Sequence, residues 1–158
     1  MMALADLAAA VTRLGGPASV ETTRGEVRSR LQLAGRSLEL RWLPDPEDGD
    51  LLLLAPDFLT LPPDLDPAVA GRLARLALAA NWELALACFE LDPAGRRLRL
   101  RLTLPLAGAE PTAAQLERCL AAIGFAAERY EPACRQVLGG LADVAQALAE
   151  LPPIRPSR

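Results

Sequence analysis

A chain of 158 residues with no histidine and no lysine lacks the usual general base near neutral pH, the commonest metal ligand and the Schiff-base amine. Its length suits one domain with a core of useful size, and aromatic residues at 4% leave leucine and alanine to build that core. A formal net charge of −3, with every basic residue an arginine, argues against a protein whose main task is gripping a nucleic-acid backbone.

Residues Ala3–Leu14 place Leu4, Leu7, Ala8, Val11 and Leu14 on one helical face, and Gly15-Gly16-Pro17 stops the helix. From Glu26 the period becomes two. Val27, Leu31 and Leu33 alternate with Arg28, Arg30 and Gln32, and a short turn at Ala34-Gly35-Arg36 leads to Leu38, Leu40 and Trp42 alternating with Glu39 and Arg41. The loop Pro44–Asp50 is acidic and reads as exposed. Leu51–Ala55 is a short apolar run, read as a third strand buried on both faces or near the sheet centre, and Pro56–Asp66 as irregular.

Asp66-Pro67 opens a helix that runs to about Asn81, with the carboxylate as N-cap and proline at the first helical position. Its apolar residues wrap most of the helix, which suggests burial on more than one side and a subunit contact through Ala70, Leu73, Ala74, Ala77 and Leu78. Trp82–Leu91 reads as a strand and Asp92–Gly95 as a turn. Arg96–Leu106 is the clearest strand: Leu98, Leu100, Leu102, Leu104 and Leu106 share one face, with Arg97, Arg99, Arg101 and Thr103 on the other. Thr112 and Gln115 form a capping-box pattern before the last long helix. Pro132 is expected to kink or break that helix near Glu131. A helical pattern resumes after Gly139-Gly140, and Pro152–Arg158 reads as a frayed tail.

The order helix–three strands–helix–two strands–helix predicts an α+β fold: one antiparallel sheet with helices on one face. Residues 1–150 are expected to form a single domain and 151–158 a flexible tail. The uncharged apolar runs fall short of the roughly 20 residues that span a bilayer, and Met1–Leu14 has no basic start, so the chain is read as cytoplasmic.

Candidate chemistry is sparse. The sequence holds no P-loop, no GxGxxG and no GxSxG. The acids Asp45, Glu47, Asp48 and Asp50 do not follow an EF-hand spacing. Cys88, Cys119 and Cys134 lie among aliphatics without a CxxC pair and read as buried thiols. No catalytic residue, metal or cofactor is therefore expected. What stands out is a set of arginines, Arg28, Arg30, Arg41, Arg97, Arg99 and Arg101, all expected to point away from the leucine face. Such a set either keeps sheet edges from sticking or docks an acidic protein segment through guanidinium forks. Charge reversal at Arg99 and Arg101 is then expected to weaken an acidic partner and leave folding intact. The alternative is a stress-response regulator that contacts nucleic acid directly through this face, although the strand positions offer no aromatics for stacking.

The segment Leu73–Gln136 resembles the YbjN-like branch of the type III secretion chaperone-like superfamily. The resemblance is carried by Ala80-Asn81-Trp82 and Ala87-Cys88-Phe89-Glu90-Leu91-Asp92, then Gly95 and Leu104-Pro105-Leu106. It continues in a helix from Thr112 to Ala127-Glu128-Arg129-Tyr130. It implies a non-enzymatic homodimer, chaperone-like or stress-regulatory, that holds a segment of a partner protein.

Overall fold

The computed structural model describes residues 2–92, 94 and 96–154. In chain order the elements are α1 (Leu4–Arg13), β1 (Ser19–Glu21), β2 (Glu26–Leu33), β3 (Arg36–Pro44), β4 (Leu51–Thr60) and α2 (Pro67–Glu83). They are followed by β5 (Cys88–Leu91), β6 (Arg97–Leu104), α3 (Ala113–Leu138) and α4 (Val144–Ala149). The six strands form one antiparallel sheet in the order β1-β2-β3-β4-β6-β5. The expected α+β architecture and element order hold, with one strand added at the start: β1, three residues long, is too short to show a period in the sequence.

Alternation explains how the sheet acquires a dry side. Val27, Trp42, Leu53 and Leu102 are register neighbours across β2, β3, β4 and β6, and all four are buried. Beside them Ala55, Leu100 and Phe89 do the same one row on, across β4, β6 and β5. Helices α1, α2 and α3 pack against the strands, with Leu7, Leu73, Leu76, Leu116, Ile123 and Tyr130 facing the strand residues in one core. Trp42 is fully buried, and its indole N–H donates to Ser29 Oγ at 2.9 Å, so the polar atom is satisfied inside the core.

Four expectations need correction. The stretch after Ala55 is not irregular: β4 continues to Thr60 through Pro56, with a register shift between Ala55 and Leu59. A bulge is where a strand tolerates proline, since the missing N–H falls on an interrupted ladder. Trp82 and Glu83 finish α2 rather than start a strand, and β5 covers only Cys88–Leu91. The Leu84 N–H still donates to the Ala80 carbonyl, so the local helical ladder prevails over the strand preference of tryptophan.

Pro132 does not interrupt α3, which runs unbroken from Ala113 to Leu138. Its side is exposed, so the carbonyl that loses a donor can face water, while buried Ala127, Tyr130, Ala133, Cys134 and Val137 hold both halves of the helix to the core. The resumed helix is a short one, Val144–Ala149, because Gly140 at φ 69° turns the chain and Asp143 caps α4.

The other signals sit where expected. Asp66 Oδ1 accepts from the Ala68 N–H, and Thr112 with Gln115 makes both bonds of the capping box. Ala34-Gly35 forms the two-residue turn of the β2–β3 hairpin, with Gly35 at φ 85°. Of the Asp92–Gly95 turn, Pro93 and Gly95 lie outside the described residues, as do residues 155–158 of the tail.

The acidic loop has a structural task. Asp50 Oδ1 accepts from Leu106 N–H at 2.8 Å, and Asp45 Oδ1 caps the amides of Glu47 and Asp48. A side chain at Gly49 would meet the Gly108 backbone at 2.6 Å, so only glycine permits the two turns to close on each other.

Candidate functional site

Period-two alternation sends every second residue of β2, β3, β4 and β6 to the side away from the helices. Register then aligns them. Arg28 of β2 is paired with Arg41 of β3, Arg41 with Leu54 of β4, Leu54 with Arg101 of β6, and Arg101 with Cys88 of β5. Arg28 and Arg101 are three strand spacings apart, about 14 Å. Next to this row Leu43, Leu52 and Thr103 are register neighbours, so half-buried Leu52 and Leu54 form an apolar stripe along the central strand. The run Leu51–Ala55 is thus buried on one side and half-covered on the other.

The arginines are not free cations. Arg28 Nε donates to Glu26 Oε1 at 2.8 Å, and Arg41 Nε to Glu39 Oε1 at 3.2 Å. These pairs were legible as charges two residues apart on a strand, which share a face. Glu90 accepts from Arg99 Nε at 2.7 Å and from Arg101 Nη1 at 3.0 Å. Burial works against the Glu90 carboxylate, but the hydrogen bonds from Arg101 and Arg99 outweigh it and hold it below the ordinary 4.5. Arg97 reaches Asp57 only at 3.9 Å, with both side chains about half exposed. Arg30, exposed and opposite Glu39 in the register, forms none of the ion pairs among the described residues.

Each end of the face thus sets three arginines against two carboxylates: Arg28, Arg30 and Arg41 face Glu26 and Glu39 on β2–β3, and at the β5–β6 end Arg99 and Arg101 share Glu90 while Arg97 has only a loose contact with Asp57. A shallow depression of about 680 Å³ lies there, lined by Pro56, Glu90, Leu91, Asp92, Arg97 and Arg99. The Asp92 carboxylate is committed to the Ala94 N–H at 2.7 Å. Because Glu90 sits between Arg99 and Arg101, charge reversal at both would set three carboxylates together. Neutral substitutions are the cleaner probe.

Of the residues expected at a subunit contact, Leu73 and Ala77 face the chain's own core, Ala70 and Ala74 are half-buried, and Leu78 is 70% exposed. Sequence reasoning missed two neighbours of Leu78. Trp82 is 92% exposed, and Asn81 beside it does what a strand would do. Its amide Nδ2 donates to the Phe89 carbonyl at 3.0 Å, and its Oδ1 accepts from the Phe89 N–H at 2.7 Å. The outer edge of β5 is thereby tied to the end of α2.

Next to Trp82, Glu83 Oε2 accepts from the Tyr130 hydroxyl at 2.5 Å, and Arg129 donates to Glu83 and to the Pro152 carbonyl. Burial first, then the Glu83 hydrogen bond, raises the Tyr130 hydroxyl above its ordinary value. The cluster joins α2, α3 and the segment after α4.

The three thiols offer no activated nucleophile. Burial pushes Cys134 up to about 12, and burial raises Cys119 and Cys88 as well. Among the described residues, no group of three or more His, Cys, Asp or Glu side chains is arranged to hold a metal ion, and no helix is long and apolar enough to cross a membrane.

Fold and face together define an α+β protein that covers one side of its sheet with helices and presents charge on the other. The family model described as "Putative bacterial sensory transduction regulator", YbjN, matches residues 3–136, and the chain belongs to that family. The match reaches well before Leu73, where the sequence motifs began. No curated protein and no solved structure matches the chain.

Proposed function

We propose that this regulator works without catalysis, as a homodimeric, chaperone-like adaptor in the cytoplasm that holds an acidic segment of a partner protein against the uncovered face of its sheet. The observation that carries this reading is the shared carboxylate at Glu90. Arg99 and Arg101 divide one acid between them, beside the loosely held Arg97 and the depression they border. An incoming carboxylate there gains charge-assisted hydrogen bonds, and Leu52 and Leu54 supply an apolar floor for intervening side chains.

Direct contact with nucleic acid is the weaker reading. The row across the face contains arginines, a leucine and a cysteine but no aromatic ring for stacking bases, and each arginine in it already has a carboxylate partner.

Affinity capture from the native host, run in parallel with wild type and with Arg97→Ser/Arg99→Ser/Arg101→Ser, tests the proposal. A stoichiometric protein retained by the wild type and lost by the variant is the expected result. Equal retention by both chains would remove the face from the mechanism.

A further inference from the structure

The open face of the sheet has two charged ends and an uncharged middle. At the β2–β3 end Arg28, Arg30 and Arg41 outnumber Glu26 and Glu39, and at the β5–β6 end Arg97, Arg99 and Arg101 outnumber Glu90 and Asp57. Between them lie Leu43, Leu52 and Leu54, all half-buried and none charged. The first end also keeps donors in reserve. Arg28 and Arg41 each use Nε on a carboxylate two residues away, and no hydrogen bond among the described residues takes their Nη nitrogens or any nitrogen of the Arg30 side chain. A carboxylate arriving at either end therefore meets guanidinium donors, and a side chain arriving in the middle meets leucine.

Register sets the distance between the ends. Arg28, Arg41, Leu54 and Arg101 stand in one row without a carboxylate, and Arg28 and Arg101 are three strand spacings apart, about 14 Å. An extended chain rises about 3.4 Å per residue, so about four residues cover that distance. Residues two and four apart in such a chain point to the same side. A segment laid across the strands thus brings its first and fifth side chains to the two arginine clusters. Its third side chain falls between β3 and β4, where Leu43, Leu52 and Leu54 lie. A helix does not make this match, since its residues four apart are separated by only about 6 Å. A segment laid along β6 would meet one cluster, pass the carboxylates of Glu90 and Asp57, and leave the leucines uncovered.

We infer that the partner segment crosses the strands in extended form, with acidic residues four apart and an aliphatic residue midway between them. The inference rests on the acidic-segment reading above and gives that segment its direction and its motif.

Two fluorescein-labelled peptides of identical composition, titrated by anisotropy against the full chain, test it. The first reads Ser-Glu-Ser-Leu-Ser-Glu-Ser, with the acids four apart. The second reads Ser-Leu-Ser-Glu-Ser-Glu-Ser, with the acids two apart, as binding along one strand would favour. The first is expected to bind about tenfold more tightly, because its second carboxylate reaches the other cluster. Arg30→Ser/Arg41→Ser and Arg97→Ser/Arg99→Ser/Arg101→Ser are each expected to erase that preference with an unchanged circular dichroism spectrum. Equal or reversed affinities for the two peptides, or a preference that survives in either variant, overturn the inference and leave the acidic-segment reading in place. Binding of neither peptide removes that reading, and this inference falls with it.

Discussion

Two faces of one strand, β6, separate what folds this protein from what it can show to a partner. Leu98, Leu100 and Leu102 are almost wholly buried, while Arg97 and Arg99 one residue away are exposed and Arg101 half-exposed. The leucines are held by helices and by neighbours on β4 and β5. The arginines are held only by carboxylates at the surface, where ion pairs contribute little to stability. The difference teaches that the leucine side is fixed by packing and the arginine side is free to serve recognition.

Substitutions can break that comparison, and the largest effect belongs to the covered side. Leu100→Ala should lower stability by about 2–5 kcal/mol, read as a shift in the urea midpoint, because a fully buried side chain leaves a cavity. Asn81→Ala should follow at about 1–3 kcal/mol, since the Phe89 N–H and carbonyl both lose a partner. Its loss would also free the β5 edge, so aggregation on heating is the second readout. On the open side, Arg97→Ser/Arg99→Ser/Arg101→Ser should change stability by about 1 kcal/mol or less. A loss as large as that of Leu100→Ala would mean that the two faces are not distinct in kind.

The smallest expected effect is a pH dependence. The Glu90 carboxylate is held below 4.5, so the fold favours its ionised form. The stability it contributes is present above 4.5 and disappears as pH falls through the lowered value. Glu131 adds to the same slope, because hydrogen bonds from Arg36 and Arg135 outweigh its burial. Glu90→Gln should flatten the fall in thermal midpoint between pH 5 and roughly pH 3, the range in which carboxylates titrate. An unchanged slope would show that the Arg99–Glu90–Arg101 pairing has no weight in solution.

Elements with a clean period were legible in the sequence. Arg97–Leu104 alternates strictly, Asp66-Pro67 and Thr112–Gln115 carry their own start signals, and Ala34-Gly35 its turn. What was not legible depended on neighbours distant in sequence. Pro56 lies inside a strand because a bulge against β6 absorbs it, and Pro132 lies inside a helix because both sides of it are packed.

The six arginines lie on the side away from the leucine face, but the carboxylate that Arg99 and Arg101 share was not legible. Glu90 lies on another strand, and only the β5–β6 register brings it to Arg99. Trp82 reads in the sequence as the start of a strand. Its exposure follows from the length of α2, which no local signal sets.

The most direct test of the account is titration of a fluorescein-labelled peptide rich in glutamate and leucine, followed by anisotropy, against wild type and Arg97→Ser/Arg99→Ser/Arg101→Ser. The account predicts saturable binding by the wild type that weakens as salt rises, and a loss of about tenfold or more in the variant at an unchanged thermal midpoint. Equal affinity in the two chains would contradict the claim that the arginine face holds the partner.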